Sequence, residues 1–279
     1  MLKIDAITNT YKQHNEDAHG NGECFAWVMD GASALNKTNV TNWSNDVAWV
    51  VNWWTQYLNT YLKNTAISLH TILEQGILDL NREFSNFIPI NQLSKLDRAS
   101  SAIGITRIQD DMLECYVLGD VEIAIKFKSG VFKIVTDERI ADLDATVIKM
   151  IAENKDRDQE ISFAGYTEEE LTVLRRNRMK MNAKDGYAIL EHDPVAIKKG
   201  IYQRYPLHHI ESVLLMSDGY SAIYNKYECF NLEELFKRVD TYGADDIIHQ
   251  LRKKELENFD CCRRLRRHDD ATGVYLKVK

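Results

Sequence analysis

Acidic residues recur where short apolar runs stop. Asn15-Glu16-Asp17 lies in the polar stretch after LKIDAIT, and Asp30-Gly31 follows ECFAWVM. Gly119-Asp120 follows MLECYVL, Asp218-Gly219 comes after IESVLLM, and Asp269-Asp270 immediately precedes ATGVYLKV. Any one of these is an ordinary turn, because Asp and Gly readily end strands. Together they imply more. Strand ends gather on common sheet edges, which brings their carboxylates close to one another. Such carboxylates repel and raise one another's pKa unless a cation neutralises them. An all-oxygen donor set selects Mg²⁺ or Mn²⁺ over zinc.

The elements that must position these residues are legible as periodicity. Residues 2–8 and 23–29 read as strands, with 9–22 as a polar loop between them. Trp43, Val47, Val50, Trp54, Leu58 and Tyr61 recur at helical spacing, as do Ile72, Leu73, Gly76, Ile77, Leu80, Phe84 and Phe87 before Pro89. The tryptophans are expected as a buried stripe against a sheet rather than a ligand platform. Residues 100–107, 112–118, 121–128 and 131–135 are short β-type runs joined by turns, read as a meander. Residues 137–200 are charge-dense and mostly helical in pattern. A buried strand at 210–216, helices at 232–239 and 245–259 and a closing strand at 271–278 complete the chain. The expected fold is α+β: antiparallel β-sheets flanked by α-helices, not a doubly wound parallel sheet.

Composition narrows the function classes. The 279 residues carry 42 acidic against 35 basic side chains, a formal net charge of −7, which argues against a nucleic-acid partner. No apolar stretch approaches the roughly 20 residues that span a bilayer, so no membrane partner is expected. The opening residues lack the apolar core of a signal peptide, which points to a cytoplasmic location. The five cysteines include no C-x-x-C pair, and the adjacent Cys261 and Cys262 read as thiols of a reducing compartment. With three prolines and no Pro/Gly/Ser-rich linker, residues 1–279 are expected as a single domain.

The ordered set Asn15-Glu16-Asp17-Ala18, Val28-Met29-Asp30-Gly31-Ala32, Ser100-Ser101-Ala102, Leu118-Gly119-Asp120, Leu215-Met216-Ser217-Asp218-Gly219 and Asp269-Asp270-Ala271-Thr272 resembles the metal-dependent serine/threonine protein phosphatases of type 2C, the PPM family. The likeness runs from Leu2 to the C-terminus and is that of a divergent, bacterial-like member. It implies a sandwich of two antiparallel sheets flanked by helices, with 137–200 at the place of the family's variable flap. It further implies two Mn²⁺ or Mg²⁺ ions per site and metal-assisted hydrolysis of phosphoserine or phosphothreonine in a protein substrate. By the same resemblance, Asp30 bridges the two ions and Gly31 ligates one through its carbonyl. Glu16 and Asp17 belong to the second ion, and Asp218 and Asp269 to the first. Asp120 with Asp218 matches the groups that hold a third, weaker ion in some members.

Several positions depart from the family pattern. Lys12 stands where the family's phosphate-gripping arginine lies, and it offers a point charge instead of a planar fork. Ala32 replaces a histidine proposed as leaving-group acid, with His14 and His19 nearby in sequence. Val121 stands in place of a serine. Ala222 replaces a further aspartate of the third ion, which puts that site in doubt. The basic runs Arg263, Arg264, Arg266, Arg267, His268 and Arg175, Arg176, Arg178, Lys180, Lys184 read either as solvated helix surface or as surfaces that attract phosphorylated substrate. Other readings of the same residues are a phosphatase of this fold acting on a small phosphorylated molecule, and an inactive relative serving as a binding or regulatory module. A carboxylate-metal nuclease is disfavoured by the charge and the motif order. The sequence specifies no oligomeric state.

Overall fold

The structure, a computed structural model, describes residues 2–36, 38–154, 165–257 and 268–278. Two five-stranded sheets, antiparallel throughout, face each other. One runs in the order β1 (Leu2–Asn9), β10 (Ala271–Val278), β9 (Ile210–Met216), β6 (Glu122–Phe127), β7 (Phe132–Val135). The other runs β2 (Asp17–Asn21), β3 (Phe25–Ala32), β4 (Ser100–Gln109), β5 (Met112–Leu118), β8 (Ile201–Pro206).

Side-chain alternation along β3 shows how the layers are built. Ala26 and Val28 point between the sheets, where they meet Val117, Val121, Ile123, Val213, Leu215 and Val274. Trp27 and Met29 point the other way, onto α1 (Asp46–Tyr61) and α2 (Leu69–Phe84). On the far side of the first sheet, Leu214, Met216 and Tyr275 pack against α5 (Asp218–Asn225), α6 (Leu232–Tyr242) and α7 (Ala244–Glu257). The order of layers is helix, sheet, sheet, helix, as expected for the α+β reading.

Both N-terminal helices form near their expected positions because their ends are capped. Asn45 accepts from Ala48 N at the start of α1, and Ser68 accepts from Thr71 N at the start of α2. The cap at Asn45 leaves Trp43 outside α1 and 44% exposed, while Trp54 is fully buried. The tryptophan stripe is thus a packing face that begins at Val47.

Other expectations are corrected. The stretch 9–22 is not all loop: Asp17–Asn21 is strand β2, paired with β3. Its sequence, DAHGN, has no apolar alternation, so the ladder with β3 creates the strand. The four runs between 100 and 135 are not one meander but two hairpins in different sheets. The chain changes sheet around Gly119, whose φ of +90° suits glycine, and a Cβ there would lie 2.6 Å from the Ala102 Cβ. Asp218-Gly219 opens helix α5 instead of a turn, and β8 was not anticipated.

Within 137–200 the helical reading holds for α3 (Ala141–Glu153) and α4 (Glu168–Arg178), the latter started by a reciprocal Thr167–Glu170 capping box. Val147, Ile151, Tyr166 and Leu171 give these helices an apolar contact of their own. No described helix is long and apolar enough to cross a membrane.

Candidate metal centre

Asp30 continues the parity of Ala26 and Val28, so its carboxylate is directed between the sheets at one end of the sandwich. The other acids arrive there from separate elements. Asp120 comes from the crossing between β5 and β6, Asp218 from the first residue of α5 and Asp269 from the approach to β10. Asp30, Asp120, Asp218 and Asp269 line one cavity of about 190 Å³, together with Gly31. Gly31 N donates to Glu16 O at 3.0 Å, and a Cβ on residue 31 would come within 2.4 Å of that carbonyl. Only glycine permits that approach.

The ladder places Asp17 on β2 directly opposite Asp30 on β3. Like charges in that relation destabilise a sheet. Asp17 is buried, and its Oδ2 has no hydrogen-bond partner. Burial, then the Asp270 charge, holds the Asp17 carboxyl well above the usual carboxylate range, against hydrogen bonds from Ser217 and Thr272. Asp30 is likewise held high, by burial first and then by Asp17, Asp218, Asp120 and Asp269. For Asp218 burial acts in the same sense, but the Lys226 ammonium and a hydrogen bond with Asp30 bring its pKa below the ordinary value.

Among the described residues, no three acidic, histidine or cysteine side chains close into a ready-made metal cage. The donor set nevertheless fits a hard divalent cation. It is all oxygen, its Asp30, Asp120, Asp218 and Asp269 carboxylates converge on one cavity, and Asp17, which faces Asp30 in the ladder without lining that cavity, adds a buried carboxylate oxygen that no protein group satisfies.

Glu16 and Lys12 lie beside this cavity and do not line it. Lys12 Nζ donates to Glu16 Oε2 at 2.8 Å and to Asp270 Oδ2 at 3.0 Å, and stands 3.5 Å from Asp269 Oδ1. Ser33 Oγ donates to the other Glu16 oxygen. Asp270, named in the sequence only beside Asp269 and given no role there, also accepts from Thr10 Oγ1 at 2.5 Å and Glu16 N at 2.9 Å, fastening the 10–16 segment to the start of β10. Lys12, expected at the phosphate, is placed as the counter-ion of Glu16 and Asp270.

The Lys or Arg side chain that does line the cavity, among the described residues, is Arg178 at the end of α4. Its guanidinium donates to Ser33 O at 3.2 Å, Arg98 O at 3.4 Å and Ser100 Oγ at 3.3 Å. Ile140, Leu143, Tyr166 and Leu174 of the 137–200 segment form the apolar wall. Neither His14 nor His19 lines the cavity, and burial lowers the His19 pKa. His268 is turned to α7, its Nδ1 2.6 Å from Glu255 Oε2. Arg263, Arg264, Arg266, Arg267, Cys261 and Cys262 lie outside the described residues.

With this geometry in view, comparison with known proteins supplies the class. The chain belongs to the Protein phosphatase 2C family, whose profile matches residues 9–259. Its fold is that of solved bacterial serine/threonine phosphatases. Mycobacterium tuberculosis PstP/Ppp shares 12% identity at a TM-score of 0.58, over 100% of this chain and 99% of that one. Stp1 from Staphylococcus aureus shares 13% at 0.56, over 100% and 96%. The catalytic domain of PstP in complex with two manganese ions shares 12% at 0.56, over 99% and 97%. No curated protein matches the sequence.

Proposed function

We propose that this chain is a Mn²⁺- or Mg²⁺-dependent phosphomonoester hydrolase that removes phosphate from phosphoserine or phosphothreonine in proteins. The observation that carries this reading is the convergence of Asp30, Asp120, Asp218 and Asp269 on one cavity that also holds an arginine. Membership of the family and the manganese-bound relative support it.

Asp30, the Gly31 carbonyl, Asp218 and Asp269 would hold two divalent ions, with Glu16 and Asp17 serving the second of them and Asp120 with Asp218 matching the place of a further one. When bound, such ions activate water and offset charge on phosphoryl oxygens. The protein's own groups do the remaining work. The Arg178 guanidinium, positioned by Ser33 O, Arg98 O and Ser100 Oγ, brings its positive charge to the phosphoryl oxygens. Lys12 ties the Glu16 and Asp270 side chains together, which holds the 10–16 segment in place. The apolar wall of Ile140, Leu143, Tyr166 and Leu174 excludes water and receives the body of the substrate. We read the chain as one phosphatase domain, with 137–200 as the flap beside its site.

Hydrolysis of p-nitrophenyl phosphate and of a phosphothreonine peptide, with Mn²⁺, Mg²⁺ or EDTA, tests the reading. Turnover of both is expected with either ion, and loss of at least about a hundredfold is expected in EDTA and in Asp30→Asn. Absence of metal-dependent turnover on either compound overturns the enzyme assignment. Turnover of the small ester alone would transfer the assignment to small phosphorylated molecules.

A further inference from the structure

Lysine side chains approach the acidic group from two sides. Lys12 serves Glu16 and Asp270 on one side. On the other, Lys226 Nζ lies 3.5 Å from Asp218 Oδ2. Lys226 follows the last residue of α5, while Asp218 is the first. Eight residues of helix rise about 12 Å, so the lysine must extend back along the helix to reach its partner. That direction takes an ammonium toward the helix N-terminus, where the macrodipole disfavours a cation. The acids outweigh the dipole: Lys226 feels Asp218 most strongly, then Asp269 and Asp120. Its backbone N–H is fixed to Ala222 O at 3.1 Å, which anchors the base of the arm.

We propose that the Lys226 ammonium is a built-in cation for the Asp218–Asp120 end of the cavity, occupying by charge a position that a further divalent ion would otherwise take. The two divalent ions assigned above to Asp30, the Gly31 carbonyl, Asp218 and Asp269 keep their places, and only a further ion shared by Asp218 and Asp120 is displaced. The inference rests on the metal-centre reading above and adds to it a limit on how many ions the site accepts. It also gives that end of the site a cation whatever the free metal concentration.

The test is Mn²⁺ binding by titration calorimetry and equilibrium dialysis, on the whole chain, for wild type, Lys226→Met and Lys226→Arg. Methionine keeps most of the aliphatic arm and removes the charge. Lys226→Met is expected to bind one Mn²⁺ equivalent more than wild type, or its weakest ion about tenfold more tightly, the scale of one unit charge acting on a divalent ion a few ångströms away in water. Lys226→Arg is expected to follow wild type, and Asp120→Asn in the Lys226→Met background to cancel the gain. Should Lys226→Met fail to fold by near-ultraviolet circular dichroism, Lys226→Gln takes its place. Identical isotherms for wild type and the neutral variant, with Mn²⁺ bound to both, overturn this inference alone. No Mn²⁺ bound to either overturns the metal-centre reading with it.

Discussion

Lys12 stands among carboxylates that burial would otherwise make costly. The Glu16 and Asp270 side chains it serves are 8% and 2% exposed. Removing one partner of a buried pair leaves the other uncompensated, so Lys12→Ala is expected to lose on the order of 3 kcal/mol in a urea melt. The same placement predicts that Lys12→Arg leaves KM for a phosphopeptide within about twofold of wild type. Arg178→Ala, which removes charge-assisted hydrogen bonds, should raise KM roughly tenfold to a hundredfold with a smaller change in kcat. Steady-state kinetics with both variants decides: a KM that moves with Lys12 and not with Arg178 reverses the assignment of the phosphate contact. The acidic residues were legible in the sequence because Asp30, Asp120 and Asp218 closely follow apolar runs and Asp269 comes just before one. The contacts of Lys12 were not, since Asp270, its second partner, lies 258 residues away in the chain. Nor was the placement of Arg178. It lies within a run of basic residues, and the acceptors it meets, Ser33 O, Arg98 O and Ser100 Oγ, come from distant parts of the chain.

At the level of elements, the helices announced themselves through apolar spacing, whereas β2 and β8 did not, because their pairing partners supply what their composition lacks. The change of sheet at Gly119 was hidden for a related reason: a short turn looks the same whether the next strand joins its neighbour's sheet or the facing one. A buried tie elsewhere in the fold has a measurable consequence. His192 Nδ1 lies 2.6 Å from Asn81 Oδ1, and Asn81 Nδ2 donates to His192 O at 2.9 Å, joining α2 to the segment that precedes β8. Burial, then the Arg98 charge, lowers the His192 pKa to about 3. The unfolded chain takes up a proton at this residue near pH 6.5 and the folded chain does not. Its contribution is therefore intact above pH 6.5 and is lost as the pH falls toward 3, by about 2 kcal/mol at pH 5. Denaturant melts at pH 7 and pH 5 should show this loss, and His192→Gln should shrink it. An equal loss in the variant would place the titration elsewhere.

For the whole molecule, the acidic excess of the composition has a location. Asp17, Asp30, Asp120, Asp218 and Asp269 come from five places in the chain and meet at one end of the sandwich, so folding concentrates charge that only cations relieve. Mn²⁺ at a hundred times its dissociation constant should stabilise the fold by about 3 kcal/mol and raise Tm by several degrees, and EDTA should reverse the shift. Asp30→Asn is expected to gain roughly 1 kcal/mol in EDTA at pH 7, by relieving the facing Asp17 charge, and to lose most of the Mn²⁺ response. A full Mn²⁺ response in that variant would show that the ions bind elsewhere. The same facing pair bears on how the protein keeps to itself. Strand β2 is the outermost of its sheet, and its link to β3 carries two opposed carboxylates. A divalent ion held by this pair would latch an open sheet edge. Without such an ion, this edge is expected to be the first to yield to a protease and to pair with the strand of a second chain.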